Sequence, residues 1–391
     1  MRVWVDITDA SHVLFFAPVV RRLEDQGHIV TLTARRFPSA ELMLRRLGLF
    51  AVLTGQHRGG GAGARAVGLV NRTAQLLASA SSGRFDVAVG SHASDFVLTA
   101  WALGVPQLTL LDDERLRRTN LVNVRLVDRV AVPDAIPLGT LHALGATTDK
   151  LFRYPGFKEE YYLHDVRPEP DILRDLGIDR RTVVGVVRPP GDERDVDFDA
   201  RWRAQRALPP PARAARGADK PGTGAARGGQ TWPAGPRQAP ARELEAFVRE
   251  LAARRNLTLV LLPRTTEQRA RFAGLGLPNL VVPEGPVDGV SLVAAADFVL
   301  GAGGVMDREA VALGTPAYTL SRRPPSAVDA ALLASGLLKR ARKAADIALR
   351  KKDPRTVAVE PRDPQVFVDA LVELARRRSR RARLGRLGRT T

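Results

Sequence analysis

The sequence predicts an α/β protein built from two Rossmann-like domains in tandem, with a cleft between them. Three observations predict it. The chain opens with a strand at residues 2–7, the segment DASHVLFFAPVVRRLEDQGH, and a second strand at 28–33, the succession of a parallel strand–helix–strand unit. A second β-branched run, TVVGVV at 182–187, starts another series of the same kind. Between them lies RYPGFKEEYYLHDVRPEPDILRDLGID, whose prolines and aromatics read as an interdomain connection.

Taken in order, the first helix is expected to start near Pro18, which suits a first turn, and to end at Gly27, with Val19, Val20 and Leu23 facing inward. Further strands are expected at 51–53, 85–89, 107–111 and 129–132, with helices between. Residues 59–63 read as a flexible loop, not a phosphate cradle, because no strand feeds them directly. In the second series a helix is expected near 243–254 and strands at 257–262, 279–282, 298–300 and 317–320. These elements divide the chain into an N-terminal Rossmann-like domain at 1–158, a connection at 159–181 and a second Rossmann-like domain at 182–352. A strand and crossing helix follow at 353–376, and a basic tail at 377–391.

Two segments stand outside this frame. Residues 199–242 hold almost no large apolar side chain and many Pro, Gly and Ala, so they cannot bury enough surface to offset their chain entropy, and disorder is expected. The tail RRRSRRARLGRLGRTT is of the same kind. Together they explain the charge. The net charge is +18, but residues 201–242 carry nine basic residues and one acid, and residues 376–391 carry eight arginines and no acid. The remainder is close to neutral, so a nucleic-acid groove is not needed to account for the charge, and no specific nucleic-acid partner is expected. A peripheral contact of these arginine-rich segments with anionic membrane is the partner they would suit, with simple solvation as the plainer reading. There is no cysteine, so disulfides and thiolate chemistry are excluded. With no signal peptide and no membrane-length apolar run, a cytoplasmic protein is expected.

The stretch DGVSLVAAADFVLGAGGVMDREAVALGTP, residues 288–316, reads as helix, buried strand, glycine turn and second helix, the last ending where Gly314 can turn left-handed before Pro316. A strand feeding Gly301, Gly303 and Gly304 and then a helix aims backbone N–H groups at one point, with the positive end of the helix dipole behind them. An anion is expected there. Glu309, one turn on, suits a vicinal diol such as the ribose beside a diphosphate, since a carboxylate accepts two hydrogen bonds. An ordinary strand–turn–helix with a surface glutamate is the plainer alternative.

Seven segments in order carry a more specific signal: VWVDITDASHVLFFAPVVRRLEDQGH, LLDDE at 110–114, DRVAVPDAIP at 128–137, RYPGFKE at 153–159, VVRPPGDE at 186–193, LLPRTTEQ at 261–268 and GAGGVMDREAVALGTPAY at 301–318. Together they resemble an uncharacterised prokaryotic family of predicted glycosyltransferases. That family is similar in outline to GT-B enzymes, among them the peptidoglycan N-acetylglucosaminyl transferase and the non-hydrolysing UDP-N-acetylglucosamine 2-epimerases. The likeness covers roughly residues 1–198 and 243–350. It departs at Asp9-Ala10-Ser11 and at Asp307, where the family usually has other residues, and the 199–242 insertion replaces a family segment.

The resemblance implies a GT-B fold and a transferase moving a sugar from a nucleotide-sugar donor, UDP-linked by analogy, to a glycan or lipid-linked acceptor. The nucleotide-sugar is a substrate, and no cofactor or metal is expected. The donor would lie on the C-terminal domain, held by Gly301, Gly303, Gly304, Met306 and Glu309, with Arg188 and Arg264 at strand exits steadying the leaving diphosphate. The N-terminal domain would supply the base. Candidates are His12 and Asp9 in the first turn, and Glu114 in the acidic loop with Asp112 and Asp113; Asp6 reads equally as a brace, and His12 equally as a capping residue. Two other functions fit less of the sequence: a UDP-sugar 2-epimerase, which needs several acids and bases around one sugar, and a non-catalytic basic binding protein.

Overall fold

The computed structural model describes residues 1–56, 62–191, 239–353 and 359–387. It contains two all-parallel sheets. The N-terminal unit runs β1 (Arg2–Ile7), α1 (Ala10–Asp25), β2 (Ile29–Arg36), α2 (Pro38–Arg46), β3 (Ala51–Gln56), α3 (Ala62–Ala80), β4 (Val87–Ser91), α4 (Ser94–Ala102) and β5 (Gln107–Leu110). It continues with α5 (Arg117–Leu126), β6 (Arg129–Pro133), α6 (Leu138–Ala143) and β7 (Leu151–Tyr154). The strand order is β3-β2-β1-β4-β5-β6-β7.

Short helices α7 (Lys158–Tyr162) and α8 (Ile172–Asp175) lead to the second unit. That unit comprises β8 (Val183–Val187), α9 (Ala239–Ala252), β9 (Leu257–Leu261), α10 (Thr266–Ala273), β10 (Leu280–Val281) and α11 (Gly289–Ala295). It is completed by β11 (Phe298–Gly301), α12 (Val305–Ala312), β12 (Ala317–Thr319), α13 (Ala327–Ala334) and β13 (Leu338–Arg340), in the order β10-β9-β8-β11-β12-β13. Both sheets reverse direction of growth once, between β1 and β4 and between β8 and β11. A parallel sheet leaves a crevice at that reversal, outside its carboxyl ends, where ligands bind in such folds.

The central strands are buried on both faces, which is why they read as continuous apolar runs. β11 is buried throughout, and Phe298 packs so closely on Gly185 of β8 that a Cβ there would lie 2.2 Å from the ring. The last helix, α14 (Gln365–Leu387), crosses back to pack on α1 and β4. Its Phe367 lies edge-on to Phe15, Phe152, Tyr154 and Tyr161, with ring centroids 5.0–5.8 Å away. One hydrophobic cluster contains Val5 and Phe16 from the first unit with Val186, Val299 and Ala310 from the second. The two units therefore share a core.

Several expectations need correction. Helix α1 starts at Ala10, because Asp9 caps it by accepting the Ser11 amide; Pro18 lies mid-helix, not in the first turn. The short helix of the 288–316 stretch begins at Gly289, and its second helix does end at Gly314 with φ +67°. Helix α9 begins at Ala239, inside the segment expected to be disordered, and α14 continues to Leu387, well into the tail expected to be disordered. Most of the 199–242 insertion, and residues 59–61 of the 59–63 loop, lie outside the described residues.

Candidate functional site

On the second sheet the site is built from the glycine turn after β11. Each glycine there has a separate reason. A Cβ on Gly301 would lie 1.7 Å from Asp307 Oδ1, so only glycine lets that carboxyl tuck beneath the turn. Gly303 and Gly304 have φ +83° and +114°, backbone that L side chains resist. The space a Gly304 side chain would enter is open to 4 Å. Asp307 Oδ2 accepts the Gly303 amide at 2.8 Å, so that amide is already used. The amides of Gly304 and Val305 donate to no other described residue and stand at the start of α12. Burial pushes the Asp307 carboxyl up to about 7.

Two arginines flank this turn. Arg188 leaves β8 with Nη1 donating to the carbonyls of Leu262 and Pro263 at 2.9 and 3.1 Å. Arg264 leaves β9 with Nε donating to the Pro189 carbonyl at 2.8 Å. Among the described residues neither is paired with a carboxylate. Burial and the neighbouring Arg264 lower the Arg188 guanidinium to about 10, while the charges of Asp9 and Glu309 act on it in the opposite sense. Arg188 therefore feels the charges of Arg264, Asp9 and Glu309, which come from both units.

The Met306 methyl group would meet a Cβ on Gly289 at 3.6 Å, and its side chain packs on the shared core. Glu309 is not the exposed helix residue the sequence suggests. It is 5 % exposed, and Oε1 accepts the Tyr162 hydroxyl at 2.6 Å. Burial raises its carboxyl to about 8, against the opposing effect of that hydrogen bond. The reason is that α12 packs on α7 and α11, so its run Asp307-Arg308-Glu309 is wholly buried between the two units. Arg308 donates to Asp329 and Ser326 and approaches Asp112 at 4.0 Å.

On the first sheet, β1 ends into Thr8, Asp9 and His12, and β4 ends into Ser91 and His92. The Thr8 hydroxyl reaches the Ser91 carbonyl at 3.5 Å and His12 Nδ1 at 3.1 Å. His12 is buried, and burial together with the Lys158 ammonium pulls it down to about 4. Asp112, after β5, is bonded through Oδ1 to His92 Nε2 at 2.5 Å and through Oδ2 to the Lys158 ammonium. Burial alone would raise the Asp112 carboxyl, but Lys158, His92 and Arg308 outweigh it and hold it well below its usual range. Asp6 is a brace: fully buried, it takes Arg72 Nη2 at 2.7 Å and the Thr33 hydroxyl at 2.6 Å. Glu114 is spent at the interface, where Oε1 accepts the Ala327 amide at the start of α13.

The structure thus brings Asp9, Arg188, Arg264 and Glu309 together, places His12 beside them, and puts Glu114 elsewhere. His92, Lys158, Tyr162 and Arg308 belong to the cleft and were not singled out by sequence. For His92 the available signal was its place directly after β4, next to the sheet's reversal.

The chain matches the family described as Protein of unknown function (DUF354) over residues 1–200 and 240–358, and it belongs to that family. An uncharacterized protein of Methanocaldococcus jannaschii is 23% identical over 321 residues, covering 80% of each chain. Among solved structures, the fold is similar to the Methanocaldococcus jannaschii UDP-GlcNAc 2-epimerase in complex with UDP-GlcNAc and UDP, with 12% identity, a TM-score of 0.64 and coverage of 96% of this chain and 99% of that one. It is also similar to the glycotransferase of kitacinnamycin, with 15% identity, a TM-score of 0.50 and coverage of 96% and 90%. The shared architecture is GT-B: two Rossmann-like units facing one another.

Proposed function

We propose that this DUF354 protein is a GT-B glycosyltransferase that moves a sugar from a UDP-sugar to a hydroxyl of a glycan or lipid-linked acceptor. The observation that carries the reading is the pair Arg188 and Arg264. Both stand at strand carboxyl ends beside the sheet reversal, donate through their side chains only to backbone carbonyls among the described residues, and lie near a glycine turn with amides to spare. A diphosphate would supply the anionic partner that neither arginine has within the described protein, and charge-assisted bonds to it would grow stronger as the leaving group takes up charge. UDP as the nucleotide is supported by the ligands of the similar epimerase structure. In this reading Glu309 holds the ribose, Asp9 and His12 line the acceptor side, and the arginine-rich tail contacts anionic membrane when the acceptor is lipid-linked.

The transferase reading is preferred to an epimerase because three acidic groups beneath the acceptor side are already bonded, which leaves buried Glu159 as the carboxyl there without a hydrogen-bond partner among the described residues. Asp6 is bound by Arg72, Asp112 by Lys158 and His92, and Glu114 by the α13 amide. A transfer needs one base; epimerisation at a sugar carbon needs several acids and bases. Titration calorimetry with UDP tests the site: Arg188→Ala and Arg264→Ala should each weaken binding about ten- to hundredfold, the equivalent of about 1.5–3 kcal/mol. Unchanged affinity in both variants would remove the basis of the reading. Incubation with UDP-GlcNAc and no acceptor distinguishes the chemistry, since an epimerase equilibrates the donor and a transferase leaves it intact or slowly hydrolyses it.

A further inference from the structure

The carboxyl end of β4 holds an imidazole that the diphosphate side of the cleft does not use. His92 has φ +51°, a left-handed backbone that is unfavourable for a residue with a Cβ, so the fold holds this ring where a relaxed chain would not put it. Its Nε2 lies 2.5 Å from Asp112 Oδ1. The other Asp112 oxygen is bonded to the buried Lys158 ammonium, which keeps the carboxylate ionised and fixed. The Asp112 amide also approaches Nε2, at 3.3 Å, but the carboxylate oxygen is far closer and can only accept, so Nε2 carries the ring hydrogen and Nδ1 carries the lone pair. Nδ1 is buried and has no partner among the described residues. A buried acceptor without a donor is unfavourable, and the hydroxyl of a bound molecule would satisfy it once the side chains that cover Nδ1 move aside.

His12 is the competing imidazole, across the same sheet reversal. It is a poor base by comparison. Its Nδ1 is engaged with Thr8, the Lys158 charge opposes protonation, and it gains a proton only near pH 4. His92 differs in having a carboxylate behind the nitrogen that carries its hydrogen, where His12 has only the Thr8 hydroxyl.

We propose that His92, and not His12, is the base that accepts the proton of the attacking hydroxyl in the sugar transfer proposed above, on which this inference rests. In the step, the acceptor oxygen forms its bond to the sugar's anomeric carbon while its proton passes to His92 Nδ1. The bond from the anomeric carbon to the diphosphate oxygen breaks, and its electron pair leaves with UDP toward Arg188 and Arg264. The imidazolium is stabilised by Asp112 through Nε2–H. Asp112 and Lys158 are positioning residues, because they act through the imidazole.

The test uses the full chain with UDP and UDP-GlcNAc as probes. His92→Asn is the informative variant, because asparagine accepts left-handed backbone better than other side chains, and its melting curve reports whether the fold is kept. With water in place of the acceptor, the parent's slow hydrolytic release of UDP from UDP-GlcNAc should fall to the rate without protein, while UDP affinity by calorimetry stays that of the parent. Release that stays above the rate without protein overturns the proposal. Independently of turnover, a long-range ¹H–¹⁵N spectrum of the parent should show His92 protonated at Nε2 and bare at Nδ1, and the opposite tautomer overturns it as well. Failure of the parent to bind UDP is a different result: it removes the nucleotide-sugar reading itself.

Discussion

Glu309 shows how far a single carboxyl can move from its behaviour in water. The folded protein holds its proton up to about pH 8, against an ordinary value of 4.5, and buried Asp307 and Glu159 are raised to about 7 in the same way. Over the window between ordinary and raised values the folded state binds more protons than the unfolded chain, so stability falls as pH rises. His12 acts in the other direction, with stability rising between its folded value of about 4 and 6.5. Above pH 6.5 the carboxyls are left alone, and the melting temperature should decline from there to beyond pH 8. Glu309→Gln should flatten that decline; an unaltered slope would show that Glu309 is not one of the groups holding a proton. Glu309→Ala leaves the Tyr162 hydroxyl without its acceptor and should cost about 1–3 kcal/mol in denaturant titrations. If Glu309 also holds the ribose, 2′-deoxy-UDP and Glu309→Gln should each weaken binding but not additively, because both remove one interaction. Simple additivity in calorimetry would take the ribose away from Glu309.

At the scale of an element, the turn between β11 and α12 is set by a close contact. Gly301 has no Cβ because Asp307 occupies the place, and Asp307 in return caps Gly303. Gly301→Ala should therefore destabilise by about 1–3 kcal/mol, the usual cost of forcing an extra methyl into a filled space. Asp307→Ala removes the obstruction. Combining the two should cost less than the sum of the singles by about 1 kcal/mol or more, measured by urea unfolding. Independent effects would mean the turn is not held by this contact. With Gly303 taken, the amides of Gly304 and Val305 are those left at the helix start for the diphosphate proposed above.

Across the whole molecule, two sheets are joined through one core and a buried set of charges. Arg308 of the second unit lies between Asp329 of its own unit and Asp112 of the first, and Tyr162 reaches Glu309 across the same boundary. Helix α14 closes the arrangement from the other side, with Phe367 2 % exposed among four N-terminal aromatics. We expect one cooperative calorimetric transition; two separable transitions would show that the units are stabilised independently. Phe367→Ala should cost about 3–5 kcal/mol, as truncation of a buried aromatic does. It should lower the single transition as a whole, since the aromatic cluster and the shared core unfold together. Among the described residues no helix is long and apolar enough to cross a membrane.

The sequence alone determined the parallel α/β class and the two-fold series of strands, because strands buried on both faces must be continuous apolar runs and glycines must stand where the chain turns left-handed. It also pointed to the glycine turn at 301–304 and to Arg188 and Arg264, since residues directly after a parallel strand fall at the ligand-binding edge whatever the details of packing. What it could not determine was which charged residues face water. Glu309 and Arg308 look like a helix surface in a linear pattern, and Glu114 looks like a cleft acid, yet all three are engaged at the boundary between units. That boundary is formed by segments far apart in the chain, and its burial, not local spacing, set the proton affinities of Glu309, Asp307 and His12. The same long-range packing put His92 against Asp112 and Lys158, an arrangement assembled from three separate strand ends that only the tertiary structure brings together.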